Sequence, residues 1–178
     1  MLLPAGIRVH IILVLSLFVG EVSASVGNEY RRTMTINCGR NEHLAQISST
    51  YSTTHRDRKW TYVCRPTPAN IKNGLTCALT SFVNYYDDEF QKVCPGSSFL
   101  NGLYSIYREG FVDRRYRARC CFFDRLRPCN CFDTPYLNSY QEAFSYDVPS
   151  NRFITGIRSQ YSLRYRDRTF SFKICQLA

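Results

Sequence analysis

The sequence has few of the features that mark membrane proteins and enzymes. Its longest apolar run, Ile11–Val19, has nine residues, whereas a membrane-spanning helix needs about 20. Beyond that run the only histidines are His43 and His55, and neither lies in an HExxH or nucleophile-elbow motif. No two cysteines have the CxxC spacing that is typical of zinc sites. These absences argue against a transmembrane protein, a zinc protein and the common hydrolases, and we expect no enzymatic activity and no cofactor.

The N-terminal segment has the pattern of a secretory signal peptide. Arg8 precedes the apolar run, and the small residues Ser23 and Ala24 follow it. We therefore assign residues 1–24 to a signal peptide and residues 25–178 to a single mature domain in the extracellular space or matrix. Nine cysteines in a secreted chain indicate disulfide bonds. Because nine is odd, at least one thiol is free or bonds to another molecule.

One sequence unit occurs three times in the mature chain. Each copy has an aliphatic-x-Ser-x-Tyr segment, five further residues, and then an Asp-Arg-x-aromatic motif. The motif residues are Asp57, Arg58 and Trp60 in copy one, Asp113, Arg114 and Tyr116 in copy two, and Asp167, Arg168 and Phe170 in copy three. A constant internal spacing in three copies is the signature of a repeat architecture.

The period inside each copy is two, which predicts strands. Each copy reads as a long β-hairpin with a short strand before it. We predict an all-β, disulfide-linked fold with three pseudo-symmetric repeats of about 55 residues, either a β-prism or a trefoil-like barrel. The copies cover about residues 33–66, 90–122 and 144–178. Aromatic residues at roughly helical spacing also predict a short helix over residues 80–93.

The Asp-Arg-x-aromatic motif favours a structural role. Catalytic constellations are usually single, whereas a symmetric fold needs the same packing in each copy. We expect the arginine to stack or form hydrogen bonds inside the protein, and the aspartate to cap the hairpin or pair with that arginine.

Arginine accounts for most of the net charge of +9. Six arginines in or just after copy two are candidate anion-binding residues, namely Arg108, Arg115, Arg117, Arg119, Arg125 and Arg127. On a strand, Arg115, Arg117 and Arg119 point away from the aromatic face and form an exposed row. The planar guanidinium suits sulfate, phosphate and carboxylate groups. Outside the cell these groups belong mainly to glycosaminoglycans and cell-surface glycans, so we do not expect a nucleic acid partner.

Two tyrosines, Tyr85 and Tyr86, precede three acidic residues. This is the sequence environment of tyrosine sulfation in secreted proteins. The alternative is ordinary aromatic packing beside a solvated acidic segment.

Cys64 and Cys120 each lie seven residues after the motif aspartate, whereas Cys175 lies eight residues after Asp167. This extra residue, the three motifs and the Cys120-Cys121 doublet resemble the dermatopontin family of secreted matrix proteins. The resemblance covers about Thr35–Cys175. It implies a non-enzymatic protein that binds proteoglycan and promotes collagen fibril assembly, or a haemagglutinin and blood-cell aggregation factor. Two of the three motifs depart from the family's usual tryptophan, with Tyr116 and Phe170 in its place.

The cysteine spacing predicts a Cys38–Cys64 bond within copy one, because both cysteines flank the hairpin. In copy two, repeat symmetry predicts Cys94–Cys120, whereas the resemblance implies the pairs Cys94–Cys121 and Cys77–Cys120, and we follow the resemblance. The resemblance also implies Cys131–Cys175 and leaves Cys129 as a free thiol or as the bridge of a disulfide-linked homodimer.

Overall fold

A computed structural model describes residues 23–68, 75–122 and 126–178. Residues 1–22 of the assigned signal peptide lie outside this range. The described residues form twelve strands: β1 (Ser25–Val26), β2 (Met34–Asn37), β3 (Glu42–Ser52), β4 (Asp57–Pro66), β5 (Thr76–Leu79), β6 (Phe90–Val93), β7 (Ser98–Arg108), β8 (Asp113–Phe122), β9 (Pro128–Asp133), β10 (Phe144–Asp147), β11 (Phe153–Ser162) and β12 (Asp167–Leu177). Within these ranges, no helix is long and apolar enough to span a membrane.

The all-β prediction is confirmed. The strands form three four-stranded sheets, each built on one long hairpin. Sheet A contains the hairpin β3–β4, sheet B the hairpin β7–β8, and sheet C the hairpin β11–β12. Three separate sheets, with no closed barrel among the described residues, favour the prism-like alternative. The predicted helix over residues 80–93 is wrong, because residues 80–89 are irregular and Phe90–Val93 forms β6.

The short strand of each copy pairs with the hairpin of a different copy. Strand β2 pairs with β7, β6 pairs with β11, and β10 returns to pair with β3. The other edge of each sheet is formed by β1, β5 or β9, which pair with β4, β8 and β12. The three copies are therefore joined in a closed cycle.

The inner faces of the sheets share one hydrophobic core. The aromatic residues of the three motifs, Trp60, Tyr116 and Phe170, are at most 1% exposed and meet at its centre. The Trp60 and Phe170 ring centroids are 4.8 Å apart, and those of Tyr116 and Phe170 are 6.0 Å apart. Edge-to-face contacts of this kind stabilise aromatic pairs beyond the area that they bury.

Candidate functional site

The arginines and aspartates of the three motifs form a closed ring of ion pairs at one end of the core. Each pairing crosses from one copy to another: Arg58 binds Asp167, Arg114 binds Asp57, and Arg168 binds Asp113. Every pair is bidentate, with Nε and Nη2 each 2.6–2.7 Å from a carboxylate oxygen. All six side chains are at most 3% exposed. The aspartate therefore pairs with the arginine of a neighbouring copy and not with that of its own motif.

A backbone N–H group donates a further hydrogen bond to each aspartate of the ring. The second carboxylate oxygen of Asp57 accepts a 2.6 Å hydrogen bond from the backbone N–H of Arg31. The same group of Asp113 accepts from Asp87, and that of Asp167 accepts from Gln141. These three donor residues have positive φ, from 61° to 68°, which aims the N–H at the carboxylate. A buried charge is tolerated only when it is paired and hydrogen-bonded in this way.

Two arginines of the ring are held in their charged form. Burial acts to lower the pKa of Arg114, but the hydrogen bonds and the charge of Asp57 outweigh it, so the pKa lies above the ordinary arginine value. Arg168 is raised in pKa by Asp113 against the same effect of burial. Both guanidinium groups therefore stay charged at every physiological pH. In the described part of the chain, no cluster of three or more His, Cys, Asp or Glu side chains could hold a metal ion.

Each motif has one further partner, an asparagine, that the sequence pattern did not reveal at first. Asn28, Asn84 and Asn138 lie 30 residues before the three motif arginines. Each amide donates to the carbonyl of that arginine at 2.9–3.0 Å and accepts from the backbone N–H of the motif aromatic. Their spacing of 56 and 54 residues equals that of the aspartates, and this recurrence was the signal that could have identified them.

The disulfide bonds follow the repeat symmetry. All nine cysteines lie in described residues, and the structure bonds Cys38 to Cys64 and Cys131 to Cys175. Copy two has Cys94–Cys120 and Cys77–Cys121. The pairs Cys94–Cys121 and Cys77–Cys120 are therefore wrong. The physical reason is register, because Cys77 lies directly opposite Cys121 on the neighbouring strand.

Copy three has an apolar pair where the other copies have a disulfide. Val148 and Ile174 occupy the positions equivalent to Cys94 and Cys120, and both are buried in the core. Cys175 lies eight residues after Asp167, as Cys121 lies eight after Asp113, so these two cysteines are equivalent. Cys129 is the free thiol and is half-buried; an intermolecular bond through it stays a prediction.

Single cysteine replacements test the pairing in copy two. Because Cys77 faces Cys121 across the strand pair, Cys77→Ser is expected to free the thiol of Cys121. Similarly, Cys94→Ser should free the thiol of Cys120. Alkylation under denaturing, non-reducing conditions followed by peptide sequencing identifies the freed thiol in each variant, and Cys129→Ser removes the background thiol. Alkylation of Cys120 in the Cys77→Ser protein would contradict the structure.

The predicted arginine row lies on the outer face of sheet B. Arg115, Arg117 and Arg119 alternate along β8 with the buried Tyr116 and Ala118. The row is half-buried and not fully exposed, because residues 80–86 lie against it. The guanidinium of Arg115 lies 4.3 Å from the ring centroid of Phe82 and 5.0 Å from that of Tyr85. The guanidinium of Arg117 lies 5.7 Å from the ring centroid of Phe82.

Hydrogen bonds fix the orientation of two of these guanidinium groups. The Nε of Arg115 donates to the carbonyl of Asn84 at 3.0 Å, and the Nε of Arg117 donates to that of Thr80 at 2.6 Å. The terminal amino groups of both arginines make no hydrogen bond to the described residues. Burial lowers the pKa of Arg119.

The other residues of the predicted set lie apart from the row. Arg108 is exposed at the end of β7, with its guanidinium 5.4 Å from the Phe111 ring centroid. Arg127 is exposed and donates a 2.5 Å hydrogen bond to Ser97. Arg125 lies outside the described residues. The structure thus brings only the three β8 arginines together.

The two candidate sulfation sites differ in exposure. Tyr85 is 72% exposed. Tyr86 is half-buried and stacks on Phe111, with ring centroids 4.6 Å apart. The equivalent stacks in the other copies are Tyr30 on His55 and Tyr140 on Tyr165. Tyr86 therefore has a packing role in the repeat, and sulfation of either tyrosine stays a prediction.

Comparison with known proteins gives relatives at low identity. Millepora cytotoxin-1 of Millepora dichotoma is 28% identical over 148 residues, the hemagglutinin/amebocyte aggregation factor of Limulus polyphemus 28% over 153, and dermatopontin of Homo sapiens 26% over 157. The alignments cover 83%, 84% and 84% of this chain and 65%, 86% and 76% of the relatives. The chain thus spans less than two thirds of the Millepora protein. No solved structure matches it.

The family assignment rests on a match to most of the chain. The family model for Dermatopontin matches residues 28–178, a range that includes all three motifs, the asparagine triplet and every cysteine. The protein therefore belongs to the dermatopontin family.

Proposed function

We propose that the protein is a secreted, non-enzymatic matrix or adhesion protein that binds sulfated glycosaminoglycan or proteoglycan through the arginine row of sheet B. The observation that carries this proposal is the presence of the row in one copy alone. The positions equivalent to Arg115, Arg117 and Arg119 hold Lys59, Thr61 and Val63 in copy one, and Thr169, Ser171 and Lys173 in copy three. Because copies one and three build the same hairpin without arginine at these positions, the hairpin itself does not require the row.

The surroundings of the row favour an anionic polymer. The residues opposite the three arginines on β7 are Ile106, Tyr104 and Gly102, and β2 adds Thr35 and Asn37 beyond them. None of these five residues carries a negative charge. Three like charges on one strand face attract an anion strongly at low salt and weakly at high salt.

The fixed geometry of Arg115 and Arg117 supports binding of sulfate or carboxylate groups. A guanidinium that is already held by its Nε and by an aromatic ring loses little side-chain freedom when a ligand binds. Its two remaining amino groups form the planar fork that matches sulfate and carboxylate oxygens.

Heparin affinity chromatography with a salt gradient tests this proposal. The triple variant Arg115→Ser, Arg117→Ser, Arg119→Ser is expected to elute at a clearly lower salt concentration than the parent. Each arginine contact to heparin that is lost reduces the number of counterions that binding releases. The matched control Arg40→Ser, Arg65→Ser, Arg164→Ser loses the same charge from exposed positions on other faces and should elute closer to the parent. Equal elution of the triple variant and the parent would rule out the row. The single variant Arg119→Ser, which removes no contact to residues 80–86, covers the case in which the triple variant does not fold.

The Limulus relative favours a second function, agglutination of cells through glycans. A threefold scaffold can present several glycan sites, and multivalency is what cross-linking of cells needs. Agglutination of erythrocytes that free sugars inhibit would support this function, whereas faster collagen fibril assembly without agglutination would support a matrix role.

A further inference from the structure

We infer that a groove on the outer face of sheet C binds one acidic sugar unit, a carbohydrate ring that carries a carboxylate or sulfate group. This inference rests on the proposed function for the class of ligand, but it concerns a different face of the molecule. The groove has a volume of about 250 Å³, somewhat below the range of about 300–1,000 Å³ for pockets that hold drug-sized ligands. The residues that line the groove include Gln91, Asp133, Tyr136, Arg158, Ser171 and Lys173.

The groove is open at a position where copy three has a small residue and copy two a large one. Ser171 is equivalent to Arg117, whose side chain packs against Phe82 on sheet B. Gly156 forms the adjoining floor, where a Cβ atom would come within 3.0 Å of the Lys92 carbonyl oxygen and 3.2 Å of the Lys173 side chain. The same outer position of the fold is therefore filled by arginine on sheet B and left open on sheet C.

The walls of the groove combine an aromatic ring with charged and hydrogen-bonding groups. The guanidinium of Arg158, an exposed residue, lies 5.6 Å from the Tyr136 ring centroid. The ammonium group of Lys173 lies 3.3 Å from a carboxylate oxygen of Asp133, and both side chains are accessible to solvent. The groove thus has two cations and one carboxylate.

This set of groups fits a sugar that carries one negative charge. Arg158 offers a planar donor fork to a carboxylate or sulfate. Asp133 and Gln91 offer acceptors to sugar hydroxyl groups, and Tyr136 offers an apolar ring to the sugar C–H groups. The excess of one positive charge favours an acidic sugar over a neutral one.

The variant Ser171→Arg gives the sharpest test, because it places in the groove the residue that fills the equivalent position of sheet B. The variant is expected to bind a chondroitin sulfate disaccharide at least about tenfold more weakly than the parent, which corresponds to ~1.4 kcal/mol. A ligand-observed NMR titration with the full mature chain measures this affinity. A purely electrostatic attraction to the surface would instead strengthen, since the variant adds a positive charge. Unchanged or tighter binding would overturn the inference.

A second variant keeps the test valid if Ser171→Arg does not fold. Arg158→Gln changes an exposed residue and should also weaken binding of the disaccharide about tenfold, the loss of one charge-assisted hydrogen bond. Its matched control is Arg164→Gln, because Arg164 is exposed and lies 5.5 Å from the Tyr165 ring centroid, outside the groove. The control should bind within about twofold of the parent. Equal losses in Arg158→Gln and Arg164→Gln would contradict a specific site.

Three further probes identify the charged group. A hyaluronan disaccharide carries only a carboxylate, N-acetylglucosamine 6-sulfate carries only a sulfate, and lactose carries neither. Tighter binding of either acidic probe than of lactose supports the inference and names the group, whereas equal binding of lactose overturns it. These outcomes are separate from those for the arginine row, since a protein that keeps heparin retention but binds no disaccharide would refute the groove and leave the proposed function in place.

Discussion

Replacing Arg114 with alanine is expected to lower the free energy of unfolding by about 3–5 kcal/mol. The variant leaves the carboxylate of Asp57 buried without its partner, and the Arg32 carbonyl loses the hydrogen bond that it accepts from Arg114 at 2.9 Å. Urea denaturation followed by far-ultraviolet circular dichroism measures the change. An uncompensated buried charge costs far more than the net stability that an intact pair contributes.

Two further variants separate the ring from ordinary ion pairing. Lys59→Ala breaks the exposed pair with Glu29, at 2.9 Å, and should change stability by less than about 1 kcal/mol. The double variant Asp57→Ala, Arg114→Ala removes both charges together and should be less destabilised than the sum of the two single variants. A loss of less than about 1 kcal/mol in Arg114→Ala itself would show that the ring does not hold the copies together.

Trp60→Ala is expected to lower the free energy of unfolding by about 3–5 kcal/mol, as other large-to-small changes in a core do. The indole is fully buried and contacts Phe144 and Phe170 with centroids 5.6 Å and 4.8 Å away. The same denaturation experiment measures the loss.

Trp60→Phe is the matched control for this change. It introduces at copy one the residue that copy three already has as Phe170. It also removes the indole N–H, which is buried and has no hydrogen-bond partner among the described residues. We therefore expect a smaller loss than for alanine. Unchanged stability of Trp60→Ala would contradict a role of the indole in the core.

The alternation of side chains made the hairpins predictable from sequence. Along β8, Tyr116 and Ala118 point to the core while Arg115 and Arg117 point outward, as a period of two requires. The half-burial of these arginines was not predictable, because the residues that cover them come from an irregular segment. The pattern that predicted a helix there has other causes: Phe82 packs on Arg115, Tyr86 stacks on Phe111, and only Phe90 enters the core.

Register and strand exchange were beyond the sequence pattern for a different reason. If Cys175 is aligned with Cys120 instead of Cys121, copy three is shifted by one residue against copy two. Such a shift assigns each strand residue to the wrong face of its sheet. Strand exchange leaves no local signal, because the short strand of a copy could pair equally well with its own hairpin. Arg114 and Asp57 likewise carry no mark that tells which copy their partners come from.

The closed cycle of exchanged strands means that no copy is a folding unit by itself. The cycle closes only when β10 reaches β3 and Arg58 reaches Asp167, 109 residues apart. Contacts this distant in sequence slow folding, because loop closure must precede the contacts that reward it. A ribosome must therefore release nearly the whole chain before the cycle can close. Until then the open edge of β3 can accept the same strand from another molecule, so intermolecular strand swapping is the misassembly to which this architecture is most exposed.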